Sequence, residues 1–342
     1  MMNLNQSSRT AVAGWLGICC VLVFCMVVLG GVTRLTDSGL SMVRWEPISG
    51  MLPPLTQTSW QAEFEHYRKF PEYQKINAGM PLDAFKRIFY FEYAHRMLGR
   101  LIGLVFAIGF VWLWARKHLS RPLVSHLVAM FVLGGLQGLL GWYMVKSGLV
   151  EIPHVSQYRL TAHLGLAISI YLYMLWVLFI LLERRSAPVV ARGLRRSSWG
   201  LGVLTFATVL SGGFVAGLKA GHAFNTFPLM AGQWIPPGYL ALEPTWRNFF
   251  ENIATVQFNH RLLAISTFAL VLVFAIRVIK DKALRPLRKP TLTLAGVATI
   301  QVGLGISTLI WFVPVALGAM HQAVALILLS VMLYVVFRFR TA

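Results

Sequence analysis

Read for its hydrophobic and polar positions, the chain alternates long apolar runs with short charged segments. Eight apolar runs fall at about 11–33, 92–115, 124–145, 160–182, 197–218, 257–276, 291–313 and 315–337. Each approximates the ~20 residues that cross a ~30 Å hydrocarbon core as a helix. The last two share one uncharged run, 291–337, of 47 residues. It is too long for a single crossing and predicts a hairpin, with its turn near Trp311, Phe312, Val313 and Pro314. The run 11–33 has 23 uncharged residues, too long for the core of a signal peptide, and no clear cleavage site follows it. It predicts a retained helix. The segment 34–91 is long for a connection, and its stretch 59–69 predicts an amphipathic helix at a membrane surface. Such a segment serves either as a lid over a site or as a simple surface cap.

Composition supports this reading. The 342 residues are 57% hydrophobic and 13% charged, with a mean hydropathy of +0.65, which excludes a soluble domain of this length. The formal charge of +19 would suggest nucleic acid in a soluble protein. Here it is assigned mainly to loops facing anionic lipid, since the chain has no exposed basic domain. Basic residues cluster after spans two (Arg116, Lys117, Arg121), four (Arg184, Arg185, Arg192), six (Arg277, Lys280, Lys282) and eight (Arg338, Arg340). By the positive-inside rule both termini face the cytoplasm. No Arg-rich transit peptide precedes the first span, which favours a bacterial inner membrane over an organelle. Cys19, Cys20 and Cys25 all fall in the first run, so no loop disulfide is available, and no CxxCH motif is present to attach haem covalently.

The two halves of the chain resemble each other. Glu92-Tyr-Ala-His95-Arg96-Met-Leu parallels Gln257-Phe-Asn-His260-Arg261-Leu-Leu, and Gln137-Gly-Leu-Leu-Gly141 parallels Gln301-Val-Gly-Leu-Gly305. Gly30-Gly31-Val is echoed by Gly212-Gly213-Phe, and Trp45-Glu-Pro47 by Thr226-Phe-Pro228. The expected fold is therefore an all-α polytopic membrane protein, with eight transmembrane helices in two pseudo-symmetric four-helix bundles repeated in one orientation. The expected division is 1–190, with the long outer loop, and 191–342.

His95, His163, His260 and His321 sit at matching places in the halves, each at the outer start of an even-numbered span. In spans two and six the uncharged runs, 101–115 and 262–276, have only 15 residues each. At ~1.5 Å per residue that is roughly 22 Å, short of the core. Both helices must recruit upstream residues, which draws His95 and His260 into the edge of the apolar zone. A titratable ring there needs a partner. Two imidazoles from facing helices of a bundle can ligate one haem iron. The pairing expected is His95 with His163 and His260 with His321, all four as metal ligands. Gly99, Gly103, Gly165, Gly303 and Gly305 are small enough for a flat macrocycle to lie near the backbone. The remaining histidines (His66, His118, His126, His154 and His222) fall in loops or at a helix edge and carry no expected role.

Glu92 lies one helical turn before His95, on the same face, whereas its counterpart Gln257 is uncharged. It serves either as a salt-bridge partner of Arg96 at the helix start, or as a carboxylate that moves a proton or stabilises developing positive charge near the first site. Arg96, Arg100, Arg159 and Arg261 are candidates for binding haem propionates or, equally, lipid headgroups.

At this point the residues resemble a known family. The motifs GGVTRLTDSGLSM, EYAHRMLGRLIGL, YRLTAHLGLA, NTFPLMAGQWIP, FNHRLLA and MHQAVAL are together similar to those of the haem A synthases, membrane enzymes that supply haem A to cytochrome c oxidases. The likeness runs essentially end to end. It implies oxidation of a methyl group of haem O to a formyl group, by successive hydroxylation and loss of water. It also implies His260 and His321 as ligands of a resident haem b, His95 and His163 as the substrate-haem pair, and Glu92 as the essential acidic residue. Some bacterial members carry a cysteine pair in the first outer loop. This chain has none, and so resembles the cysteine-free branch that includes mitochondrial members. Expected partners are haem O, the lipid bilayer, a haem O synthase, oxidase assembly factors and a second copy of the chain. Two other functions share the bis-histidine pattern: a dihaem cytochrome passing electrons from quinol, and a haem carrier without chemistry. Histidines at one depth disfavour the first, because electrons crossing a membrane need haems at different depths.

Overall fold

A computed structural model describes residues 4–44, 49–149, 153–183 and 190–340. The echo at Trp45 to Pro47 and the basic pair Arg184 and Arg185 lie outside the described residues. Eleven α-helices are present among the described residues: α1 (Gln6–Leu35), α2 (Gln57–Tyr67), α3 (Pro71–Lys75), α4 (Leu82–Ala115), α5 (Arg121–Lys146), α6 (Gln157–Leu182), α7 (Arg192–Gly217), α8 (Asn248–Glu251), α9 (Ile253–Lys280), α10 (Arg288–Ile310) and α11 (Val315–Phe339). Eight of them, all but α2, α3 and α8, are long and apolar enough to cross a membrane. The protein is thus an all-α, multi-pass membrane protein, as the apolar runs predict.

The helices exceed the apolar runs for local reasons. Asn5 caps α1 by accepting the Ser8 N–H at 2.8 Å. Helix α4 begins at Leu82, well before the expected 92, with Pro81 as its cap and Asp83 in its first turn. Its extension is amphipathic rather than apolar, so hydropathy does not register it. The expected hairpin turn is present. Helix α10 ends at Ile310, Phe312 and Val313 take left-handed backbone conformations (φ 59° and 57°), and Pro314 caps α11. A β-branched residue in that conformation is strained by about 1–3 kcal/mol, which the two flanking helices must hold in place.

Helix α1 packs against α4 and α6, and α5 packs against α4 and α6. Likewise α7 packs against α9 and α11, and α10 against α9 and α11. Contacts α1–α11, α6–α7 and α6–α11 join the two groups. Tight apolar packing gathers toward the helix ends that carry the chain termini. Val12, Leu16, Leu113, Leu123, Leu127 and Leu181 form part of one cluster there. Val278, Leu287, Leu294, Val335 and Phe339 form part of another. The four histidines lie toward the opposite ends.

The segment between α1 and α4 has its own core. Trp60, Phe64 and Tyr67 of α2 pack on Phe85 and Phe89 of the α4 extension and on Met42. The expected amphipathic helix at 59–69 is α2, capped by Thr56 through Ser59. The segment is thus a packed cap seated on α4. Within it, Glu72 is buried, 5% exposed, and accepts a hydrogen bond from the Tyr67 hydroxyl at 3.0 Å. Burial raises the Glu72 carboxyl to about 7 and pushes the Tyr67 hydroxyl up as well.

Candidate functional site

Each of the four histidines has a glycine of a neighbouring helix behind its ring. A methyl group added at Gly30 of α1 would lie 3.0 Å from Cε1 of His95, on α4. At Gly212 of α7 it would lie 3.2 Å from Cε1 of His260, on α9. At Gly141 of α5 and Gly305 of α10 it would lie 2.9 Å from Cε1 of His163 and of His321, on α6 and α11. Only hydrogen fits behind these rings without displacing them. The pairings expected from the sequence are His95 with His163 and His260 with His321. Their helices, α4 and α6 or α9 and α11, are separated by two intervening helices that touch both.

Hydrogen bonds aim some of the rings. Gln137 Nε2 lies 3.1 Å from His163 Nδ1 and donates to the His163 carbonyl at 3.0 Å. Its counterpart Gln301 lies 3.4 Å from His321 Nε2. Ser211 Oγ lies 2.7 Å from His260 Nδ1. The Nδ1 atoms of His95 and His321 are buried with no hydrogen-bond partner.

Glu92 is 3% exposed and fully engaged. It accepts from Ser41 Oγ and from the Met42 N–H, both at 2.8 Å, and from Arg96 Nη2 at 2.6 Å. Arg96 also donates to the carbonyls of Met42 (2.8 Å) and Arg44 (3.0 Å). The salt bridge foreseen as one alternative is therefore present, and with it a clamp that ties the turn 38–44 to the His95 helix at the level of Glu92 and Arg96. Arg44 continues the chain of contacts by pairing with Glu63 of α2. The second half repeats the arrangement without charge at the first position. Gln257 donates to the Phe224 carbonyl at 3.0 Å, and Arg261 donates to the carbonyls of Phe224 (2.7 Å) and Thr226 (2.8 Å).

The donor chemistry fits iron porphyrin. Two imidazoles per half suit an axial pair, and the glycines leave room only for the rings. Arg261 Nε is buried and without a partner, as a site for a haem propionate would leave it.

Arg96 and Arg261 each donate to two loop carbonyls. Arg159 stacks on Tyr143 at 3.7 Å and donates to its carbonyl at 2.9 Å, and Arg100 contacts Met97 Sδ at 3.2 Å. Of the five glycines singled out, Gly305 backs the His321 ring, while a methyl group added at Gly165 or Gly99 would lie 3.0 Å from Leu210 or 3.4 Å from Met26; Gly103 and Gly303 face open space. His118 and His126 are tied to Ser8 (2.8 Å) and Tyr173 (2.6 Å), and His66 belongs to α2. Cys19, Cys20 and Cys25 are free on α1. Sequence reasoning assigned no role to Gln137, Gln301, Ser211 or Ser41. The repeated Gln-x-x-x-Gly spacing was the available signal for the first two.

The chain also matches known proteins. Residues 13–333 match the COX15-CtaA family model, described as cytochrome oxidase assembly protein. The heme A synthase of Nitrosospira multiformis is 53% identical over 327 residues, covering 95% of this chain and 92% of that protein. The heme A synthase of Parvibaculum lavamentivorans is 46% identical over 335 residues, covering 98% and 96%. The human heme A synthase COX15 is 45% identical over 335 residues, covering 95% and 82%.

Proposed function

Because the chain belongs to the COX15-CtaA family, we propose that it is an oxidoreductase that converts haem O to haem A by oxidising a methyl substituent to a formyl group. The carrying observation is the twinned histidine pair, each ring set against a close glycine at equivalent places in the two halves.

In this reading the halves are pseudo-symmetric four-helix bundles, 1–190 and 191–342. The parallel helix contacts support it, as do Glu92 and Gln257, or Arg96 and Arg261, gripping equivalent loops. The junction between halves supports it too. Asp37 and Lys219 end equivalent helices in the same left-handed conformation (φ 49° and 52°) and pair at 2.8 Å. Residues near a two-fold axis meet their own equivalents.

The first half takes haem O as substrate, with His95 and His163 as the iron ligands. The second half holds haem b between His260 and His321, where it supplies electron-accepting chemistry when bound. Arg261 offers its unpartnered Nε–H to a propionate there, and Arg96 holds the turn above the first site. Glu92 keeps that turn and Arg96 in register beside His95. Its carboxylate places negative charge where positive charge develops as the methyl group is oxidised. The protein sits in a bacterial inner membrane with both termini cytoplasmic and the histidines toward the outer face. A haem O synthase that supplies substrate and assembly factors that receive product are the partners this reaction requires.

The test is expression with a source of haem O, followed by chromatography of the extracted pigments. Haem A should appear with the wild-type chain and not with His95→Ala. If haem O were recovered unchanged with the wild type, the protein would be a carrier rather than a synthase.

A further inference from the structure

The two sites differ in what lies behind the first histidine of each pair. In the second half, Ser211 immediately precedes the Gly212-Gly213 pair. Its hydroxyl lies 2.7 Å from the Thr208 carbonyl and 2.7 Å from His260 Nδ1. A hydroxyl has one proton. The helical carbonyl takes it, so the oxygen accepts from Nδ1–H, and the Nε2 lone pair is left free. A helical turn away, Thr208 Oγ1 meets Thr267 Oγ1 at 2.9 Å. The seam between α7 and α9 is thus polar at this level. In the first half, the residue preceding Gly30-Gly31 is Leu29, and the positions corresponding to Thr208 and Thr267 are Met26 and Ile102. That seam has no hydrogen-bonding side chain at these places, and His95 Nδ1 is buried without a partner.

Resting on the two-half reading above, we propose that Ser211 is a positioning residue that fixes the His260 imidazole with Nδ1 protonated and Nε2 presented to iron, and that Leu29 leaves His95 without this restraint. The second half thereby retains its haem through turnover, while the first releases its haem as product. A partner for the non-ligating nitrogen fixes ring tautomer and orientation and makes the imidazole a stronger donor. Its loss typically weakens binding by about ten- to a hundred-fold.

The experiment uses the full-length protein loaded with haem b. It compares wild type, Ser211→Ala and Ser211→Thr by redox titration of the haem b absorption band and by the rate of haem transfer to apomyoglobin. Ser211→Ala should raise the midpoint potential and speed haem b loss about ten- to a hundred-fold, and Ser211→Thr should restore both. In protein loaded in addition with haem O, Leu29→Ser, which leaves the second half intact, should slow haem O transfer to apomyoglobin. A Ser211→Ala protein with wild-type potential and transfer rate would overturn the proposal, as would a Leu29→Ser protein with unchanged release. His260→Ala separates the two levels of the argument: haem b retained at full occupancy in that variant would overturn the two-half reading itself.

Discussion

Arg96 and Arg261 make the same contacts in the two halves of the chain. Each follows a ring histidine directly, and each guanidinium bridges two carbonyls of the loop leaving the preceding long helix: Met42 and Arg44 for one, Phe224 and Thr226 for the other. A planar fork spans two acceptors where an ammonium cannot. Arg261→Lys should therefore keep the charge and lose the bridge. Limited proteolysis should cut the loop between α7 and α8 faster, and haem b content after purification should fall.

The glycine behind each ring gives a sharper structural test. A methyl group at position 305 would lie 2.9 Å from His321 Cε1, closer than a real contact allows, so the ring must move. Gly305→Ala should lower haem b occupancy about tenfold or more, in line with loss of ligand orientation. Gly14→Ala, with open space around it, should leave occupancy unchanged while gaining helix propensity of up to about 1 kcal/mol. Absorbance of the reduced pigment per protein reads both.

Glu92 accepts three hydrogen bonds, one of them from a guanidinium. Glu92→Gln keeps the shape, removes the charge and cannot satisfy all three donors. A hydrogen bond to a charged group contributes about 1.5–3 kcal/mol, so conversion of haem O should fall about ten- to a hundredfold. Haem b in the second half should remain. Full conversion by Glu92→Gln would remove this residue from the chemistry.

The outer cap should respond to pH through Glu72. Burial raises its carboxyl to about 7, above the unfolded value near 4.5. The folded cap therefore holds a proton that the unfolded segment gives up between those values. Its stability is fully present below about pH 4.5 and declines as pH rises to about 7, by roughly 3 kcal/mol at most. Hydrogen exchange of 57–91 between pH 5 and 8 should show the cap opening more readily at the higher pH. Glu72→Gln should abolish the trend and protect the cap near neutrality.

Much of this was legible from residue order. Eight spans, the hairpin turn at Phe312 and Val313, the helix α2 and the repeated histidine positions follow from hydropathy, length and repetition. These signals are either summed over a whole helix or stated twice in the chain. The start of α4 at Leu82 was not legible, because its first turns are amphipathic and owe their helicity to packing under Trp60 and Phe64. Nor were the contacts of Glu92 beyond its salt bridge to Arg96. Its partners Ser41 and Met42 lie across a long loop, and no local pattern announces that pairing. The role of Ser211 was hidden for a related reason. A serine before a glycine pair means little until the fold sets it against His260.

The central claim is that two histidine pairs, one in each half, each clasp a separate haem. Electron paramagnetic resonance of the purified protein, with His95, His163, His260 and His321 each replaced by alanine, tests it most directly. The account predicts two low-spin bis-imidazole signals in protein carrying both haems. One should be lost in the His95→Ala and His163→Ala proteins, and the other in the His260→Ala and His321→Ala proteins. A single signal that survives all four substitutions, or one abolished equally by each of them, would contradict it.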